Sequence, residues 1–203
     1  MNYYISDLHI GHENVIKLDH RPFADTDEMF DAIVSNWNKT VKGNDTVYIL
    51  GDFIWKKKNE WAEIVKQLKG KKVLIRGNHD PKEFSDEVRA LFVDIKDYME
   101  IQDGQYKVVL CHYPLLSYFH DFSPNVVMVY GHVHNTLEMN LVQEFRQKLW
   151  AKNSADNKWP LGQLLHAGCM EEYMSYTPRT LQEIIKGDIA KYGSTEKPII
   201  VAG

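Results

Sequence analysis

Only two cysteines, Cys111 and Cys169, occur in the 203 residues, too few for a disulfide framework to hold the fold. Cys111 falls inside an apolar run, where a free thiol packs as a small hydrophobe, and a reducing cytoplasm is the expected compartment. An excess of basic charge is also missing: 24 Lys and Arg against 28 Asp and Glu leave a formal charge of -4. That balance argues against a protein that grips duplex nucleic acid by neutralising many phosphates. A small anionic substrate stays compatible with it, because bound cations invert the local field. The opening residues, Met1-Asn2-Tyr3-Tyr4, form neither the basic nor the apolar part of an export signal. No apolar run approaches a membrane span, so neither export nor membrane insertion is expected.

What is present is ordinary for a globular chain. Hydrophobic residues at 44% and charged residues at 26% lie near the averages of soluble proteins, and the length suits a single domain over residues 1–203. Apolar runs at Asn2 to Ser6, Thr46 to Leu50, Lys72 to Arg76, Tyr106 to Cys111 and Val126 to Tyr130 predict strands. Each run ends in polar, ligand-capable residues: Asp7 in a loop to Glu13, Gly51-Asp52, Gly77-Asn78-His79-Asp80, His112, and Gly131-His132-Val133-His134.

Helical period follows Thr26-Asp27 at Met29, Ile33, Val34, Trp37 and Val41, and precedes Gly70 at Trp61, Ile64, Val65 and Leu68. Strands alternating with helices predict a layered α/β architecture, whose site forms beyond the carboxyl ends of the strands. Tyr98 to Leu110 with Asp103-Gly104 at its turn predicts a hairpin, and with it a second, more antiparallel sheet. Leu137 to Lys152 is helical in pattern, Asn153 to Lys158 is a polar loop before Trp159-Pro160, and Thr180 to Glu183 is a capping box opening a last helix.

Asp7 and His9, like His132 and His134, are spaced by two, which puts both side chains of a pair on one face of an extended segment. Either pair alone carries little weight. Carboxylate, imidazole and amide groups all following apolar strands carry more, and such mixed N and O ligands suit Mn, Fe, Zn, Co or Ni. No cysteine is placed for a structural zinc.

In order and spacing these motifs resemble the calcineurin-like metallophosphoesterase superfamily. Ser6-Asp7-Leu8-His9-Ile10-Gly11-His12-Glu13-Asn14, Arg21-Pro22-Phe23 and Trp37-Asn38 further resemble a branch of small bacterial and phage phosphoesterases. The resemblance runs over about residues 3 to 134 and returns at Gly168 to Ile184. It implies a four-layer α/β/β/α sandwich of two mixed β-sheets flanked by helices, and two divalent metal ions with Mn favoured. Asp7, His9 and His134 would hold one ion, Asn78, His112 and His132 the other, and Asp52 would bridge them. A bridging hydroxide would be the nucleophile of phosphoester hydrolysis. His79 would be the general acid, with Asp80 orienting its imidazole or else capping a helix at Pro81.

His12 and Arg21, in the stretch that marks the narrower branch, are candidates to reach a substrate phosphate. Arg76 is expected to pair with a carboxylate, Trp37 and Trp61 to lie in the core, and His20, His120 and His166 to be surface or core residues. A small or nucleotide-type phosphoester is the expected substrate, as monoester or diester. The other readings are a non-catalytic scaffold of the same fold and a nuclease on short single strands, the latter drawing on Lys56 to Lys58. Selectivity is expected in the loops Phe53 to Asn59, Leu115 to Asn125 and Asn135 to Trp159. The segment 135–165 is a lid, an oligomer contact or a plain surface helix.

Overall fold

A computed structural model describes residues 1–156 and 162–193. Strands β1 (Asn2–Ile5), β2 (Thr46–Ile49), β3 (Lys71–Ile75) and β4 (Asp94–Lys96) form one sheet in that order. Strands β5 (Tyr98–Asp103), β6 (Tyr106–Cys111), β7 (Val126–Tyr130) and β8 (Leu164–His166) form the other. The second sheet is mixed, antiparallel at the β5–β6 hairpin and parallel from β6 to β8. The first differs from the mixed sheet expected, since β1 to β4 are parallel throughout. Its connections explain this, because each crossover carries a helix: α1 (Glu13–Leu18) and α2 (Thr26–Thr40), then α3 (Trp61–Lys66), then α4 (Asp86–Arg89). Helix α5 (Leu137–Asp156) links β7 to β8, and α6 (Leu181–Tyr192) follows.

The layers follow from period two along the strands. Val108 and Leu110 of β6, Val127 and Val129 of β7 and Leu165 of β8 join the main core with the buried residues of β1 to β3. Val109, Cys111, Val126, Met128, Tyr130 and Leu164 point the other way and pack with Met139 and Val142 of α5. Helix α2 starts where the Asp25 carboxylate accepts from the N–H groups of Asp27 and Glu28, and it buries Met29, Ile33 and Trp37 at a spacing of four. The capping box at Thr180 and Glu183 opens α6 as expected.

Four short elements escape the periodic reading: β4, β8, α1 and α4. The polar loop expected from Asn153 is helical as far as Asp156, and Trp159-Pro160 lies outside the described residues. Among the described residues no helix is long and apolar enough to cross a membrane.

Helix α5 is tied to α6 by an ion pair between Arg146 and Asp188, both side chains buried. The guanidinium also lies over the Trp150 ring, 4.8 Å from its centroid. Removing one member of such a pair strands the other charge in a dry environment. Asp188→Ala is expected to cost about 3–5 kcal/mol and to lower the melting temperature by roughly 10 °C or more. The double change Arg146→Met with Asp188→Leu should recover most of that loss. Urea denaturation of both variants is the check, and a loss below about 1 kcal/mol for the single change would contradict the account.

Candidate metal centre

Every candidate ligand leaves the carboxyl end of a strand. Asp7 and His9 follow β1, Asp52 follows β2, Asn78 follows β3, His112 follows β6, and His132 and His134 follow β7. The two sheets are stitched together here: the Ser6 N–H donates to the Ala167 carbonyl at 2.8 Å and the Cys169 N–H to the Ser6 carbonyl at 2.9 Å. The β1–β2 pairing also continues into the loops, through His9 N–H to Asp52 O at 2.9 Å and Ile10 N–H to Phe53 O at 3.0 Å.

Asp7, His9, Asp52 and His132 have positive φ of 56°, 47°, 49° and 73°. Non-glycine residues rarely adopt this conformation, and it concentrates where function requires it. The glycines of the motifs have a matching reason. A side chain on Gly51 would collide with His112, one on Gly77 with the Asp52 carboxylate, and one on Gly131 with the Asp7 carboxylate.

The ligand atoms fall into two groups, Asp7 with His9 and His134, and Asp52 with His112 and His132, each gathered within 4.8 Å. Asp52 stands between them, its Oδ2 at 3.6 Å from His9 Nε2 and 3.5 Å from His112 Nε2. Asn78 Oδ1 lies 3.0 Å from His112 Nε2. These residues fit metal ions for a reason visible in the tautomers. His112 Nδ1 lies 2.8 Å from the Leu50 carbonyl, which can only accept, so Nδ1 carries the proton. Its Nε2 then faces two oxygens, Asn78 Oδ1 and Asp52 Oδ2. His134 is held in the same way, with Nδ1 at 2.8 and 3.0 Å from the two oxygens of Asp19, while its Nε2 lies 3.3 Å from His9 Nε2 and 3.6 Å from Asp7 Oδ1. Nitrogen and oxygen atoms converging in this way form a cation's ligand set once the imidazoles give up their inward protons.

Electrostatics agree. Burial pushes the His9 imidazole down to about 3, so it is neutral and ready to donate its lone pair. Burial would also lower His134, yet contact with Asp19 and Asp7 outweighs it and pushes that imidazole up to about 10. Burial would raise Asp7, but His134, His112 and His166 hold its carboxyl below the usual range. Without metal, the charge-hungry centre keeps a proton on His134.

Two expectations are corrected. Arg21 is not a substrate contact: its side chain is fully buried, its Nε and Nη2 fork Asp19 Oδ2 at 3.0 and 2.8 Å, and its Nη atoms donate to the Asp7 and Leu8 carbonyls. Asp80 neither orients His79 nor caps a helix at Pro81. Its carboxylate accepts from the N–H groups of Asp52, Phe53 and Gly77 at 2.8 to 3.0 Å, and it makes no hydrogen bond to the His79 imidazole. His79 itself is exposed beside the centre, with its N–H on Asp52 Oδ1 at 2.9 Å.

His12 caps α1 by accepting from the Val15 N–H at 2.9 Å and lines the same cavity as the ligands. His166 is buried against Glu171, His20 and His120 are exposed, Arg76 pairs with Asp97, and Trp37 and Trp61 lie in the core. Sequence reasoning missed Asp19. Its signal is the spacing of two from Arg21, which lets one turn bring the guanidinium onto its carboxylate.

Because His134 holds a proton below about 10, a metal must displace it, so apparent affinity should climb with pH across the neutral range. Calorimetry in buffers of different ionisation enthalpy should record release of about one proton near neutrality. Asp19→Asn should lower that number and weaken metal binding by about 10- to 100-fold. Wild-type affinity in that variant would remove Asp19 from the centre.

The calcineurin-like phosphoesterase family matches residues 3–186 of this chain. An uncharacterized protein of Methanocaldococcus jannaschii, MJ1445, is 34% identical over 149 residues, covering 72% of this chain and 78% of its own. The gene 66 protein of Mycobacterium phage L5 is 38% identical over 82 residues, 38% of this chain and 39% of its own. Among solved structures, a protein of unknown function from Aquifex aeolicus, AQ665, is 28% identical with a TM-score of 0.63, covering 92% of this chain and 98% of that one. With two sheets flanked by helices and two groups of metal-type ligands at their strand ends, the chain belongs to the calcineurin-like phosphoesterase family of divalent-metal-dependent phosphoester hydrolases.

Proposed function

We propose that the chain hydrolyses a small phosphoester at a pair of divalent cations, with manganese the ion of choice. The observation that carries this reading is Asp52, one carboxylate oxygen placed 3.5 to 3.6 Å from a histidine of each ligand group, where it can serve two ions at once. Such a pair supplies a water acidified toward neutrality and positive charge for the phosphoryl oxygens.

The residues of the chain do the rest. Asp7, His9 and His134 would hold one ion, and Asn78, His112 and His132 the other. His79 would give its proton to the leaving oxygen. Its main-chain N–H is tied to Asp52, which anchors the loop that carries the imidazole beside that carboxylate. Asp80 is a positioning residue, since its three N–H partners fix the loops of Asp52 and Gly77. His12 stays a candidate for the substrate phosphate, lining a cavity of about 340 Å³ with His9, Asp52, Asn78, His79, His132 and His134. The two cysteines are free and buried, which suits a reducing cytoplasm.

The test loads the protein with Mn and compares bis-p-nitrophenyl phosphate with p-nitrophenyl phosphate, beside metal-stripped protein. Metal-dependent turnover is expected, and its ratio assigns the diester or monoester class. Turnover of neither would favour the scaffold reading. Asp52→Asn should fold with a near-wild-type melting temperature and lose turnover, whereas wild-type turnover would sink the bridging role. His79→Asn should slow alkyl esters by about 10²- to 10⁴-fold and p-nitrophenyl esters far less, because p-nitrophenolate leaves without a proton. Equal losses on both would refute the general-acid role.

A further inference from the structure

Among the described residues, Trp55 is the tryptophan exposed on the surface of the fold. Trp37 and Trp61 are buried in the core, whereas Trp55 is 42% exposed at the mouth of the metal centre. Its position is not a loose loop accident. The Trp55 N–H donates to the Ile10 carbonyl at 2.8 Å, and Ile10 pairs with Ile54 in a parallel bridge. The backbone thus prolongs the β1–β2 ladder and holds the indole in place. The ring packs 4.2 Å from the His12 ring and 4.8 Å from the His79 ring, centroid to centroid.

Val15 and Leu18 line the same cavity as Trp55 and the ligands, and Leu18 is 74% exposed. One side of the mouth is therefore apolar and aromatic, while the floor is made of metal-type ligands. A rigid exposed indole beside the proposed acid meets whatever the phosphoryl group is attached to. Such a surface rewards a planar ring, which it can stack, over an alkyl alcohol, which it cannot. The basic run Lys56 to Lys58, directly after Trp55, adds positive charge that favours approach of an anion.

We propose that Trp55 determines specificity by stacking a planar ring in the leaving group, which makes nucleoside phosphates the substrate class, preferred over alkyl phosphates. This rests on the hydrolytic reading of the centre. In the reaction the water oxygen bonds to phosphorus as the ester P–O bond breaks, and the leaving oxygen takes the proton from His79. A nucleoside and inorganic phosphate result from a monoester, or a nucleoside and the phosphate monoester of the second alcohol from a diester.

The experiment compares wild type, Trp55→Ala and Trp55→Phe, all Mn-loaded, on a nucleoside ester and a glycerol ester of whichever order, monoester or diester, the enzyme favours. Wild type should prefer the nucleoside ester. Trp55→Ala should lower its kcat/KM by about tenfold, chiefly through KM, on the scale expected of one stacked base. It should leave the glycerol ester nearly unchanged, and Trp55→Phe should keep most of the preference. Equal losses on both esters, or a wild type without preference, would overturn the proposal, since Trp55 would then only support His12 and His79. Calorimetry with the phosphonate analogue of adenosine monophosphate beside methylphosphonate reads the ring without turnover. Ring-dependent affinity that vanishes in Trp55→Ala upholds the stacking wall even where hydrolysis fails, and its absence in an active enzyme rejects the wall while the hydrolytic reading stands.

Discussion

Asp7 is held from both sheets, and the geometry of the centre depends on that grip. Its carboxylate accepts from the Ser6 hydroxyl at 2.6 Å on its own strand end and from the His132 N–H at 3.0 and 3.1 Å across the seam. Its carbonyl accepts from Arg21 and from the Cys169 thiol, and its N–H donates to the Gly51 carbonyl. With so many partners fixed, the residue sits in the left-handed region, which the surrounding hydrogen bonds must enforce. Because a carboxylate from the first sheet sets the backbone of a histidine from the second, neither ligand loop can shift alone.

That seam gathers like with like, at an energetic penalty. Four imidazoles, two carboxylates and an amide oxygen converge, a cluster that hydrophobic packing alone would never favour. The protein offsets part of the penalty with groups behind the ligands. Leu50 fixes the His112 ring, Asp19 fixes the His134 ring, and Arg21 neutralises Asp19 while gripping the loop that carries Asp7. The remainder is left for a cation. Bound metal should therefore stabilise the fold as well as arm it, since the unfolded chain presents no such cluster.

Strands and their polar ends were legible in sequence because period and residue type act locally. β6 and β7 stand where their apolar runs lie, and α2 follows its spacing of three and four. The ligand residues were legible for the same reason: each follows a strand, and the glycines beside them mark places with no room for a Cβ. What stayed hidden was short or depended on distance. Helix α1 has six residues and is capped by a histidine, an unusual cap, and β4 has three, too few to show a period. Arg21 looks like a phosphate contact because arginine near a motif often is one. Only in three dimensions do an adjacent carboxylate and two carbonyls use up its donors. Asp80 misleads likewise, since its carboxylate is turned toward three backbone N–H groups of the Asp52 and Gly77 loops.

The rim of the centre is built by the same rule as its floor, and this bears on how selectivity can vary within the family. Phe53 accepts from Ile10, and Ile10 from Trp55, so the backbone that carries Asp52 continues without a break into the backbone that carries the indole. A ligand loop that must hold its shape for the metal thus holds the rim in shape as well. Side chains on that rim can change, because main-chain hydrogen bonds set its shape without them, whereas its backbone cannot. A family that shares one metal chemistry can then acquire different substrates by exchanging the residue at such a position, without moving a ligand.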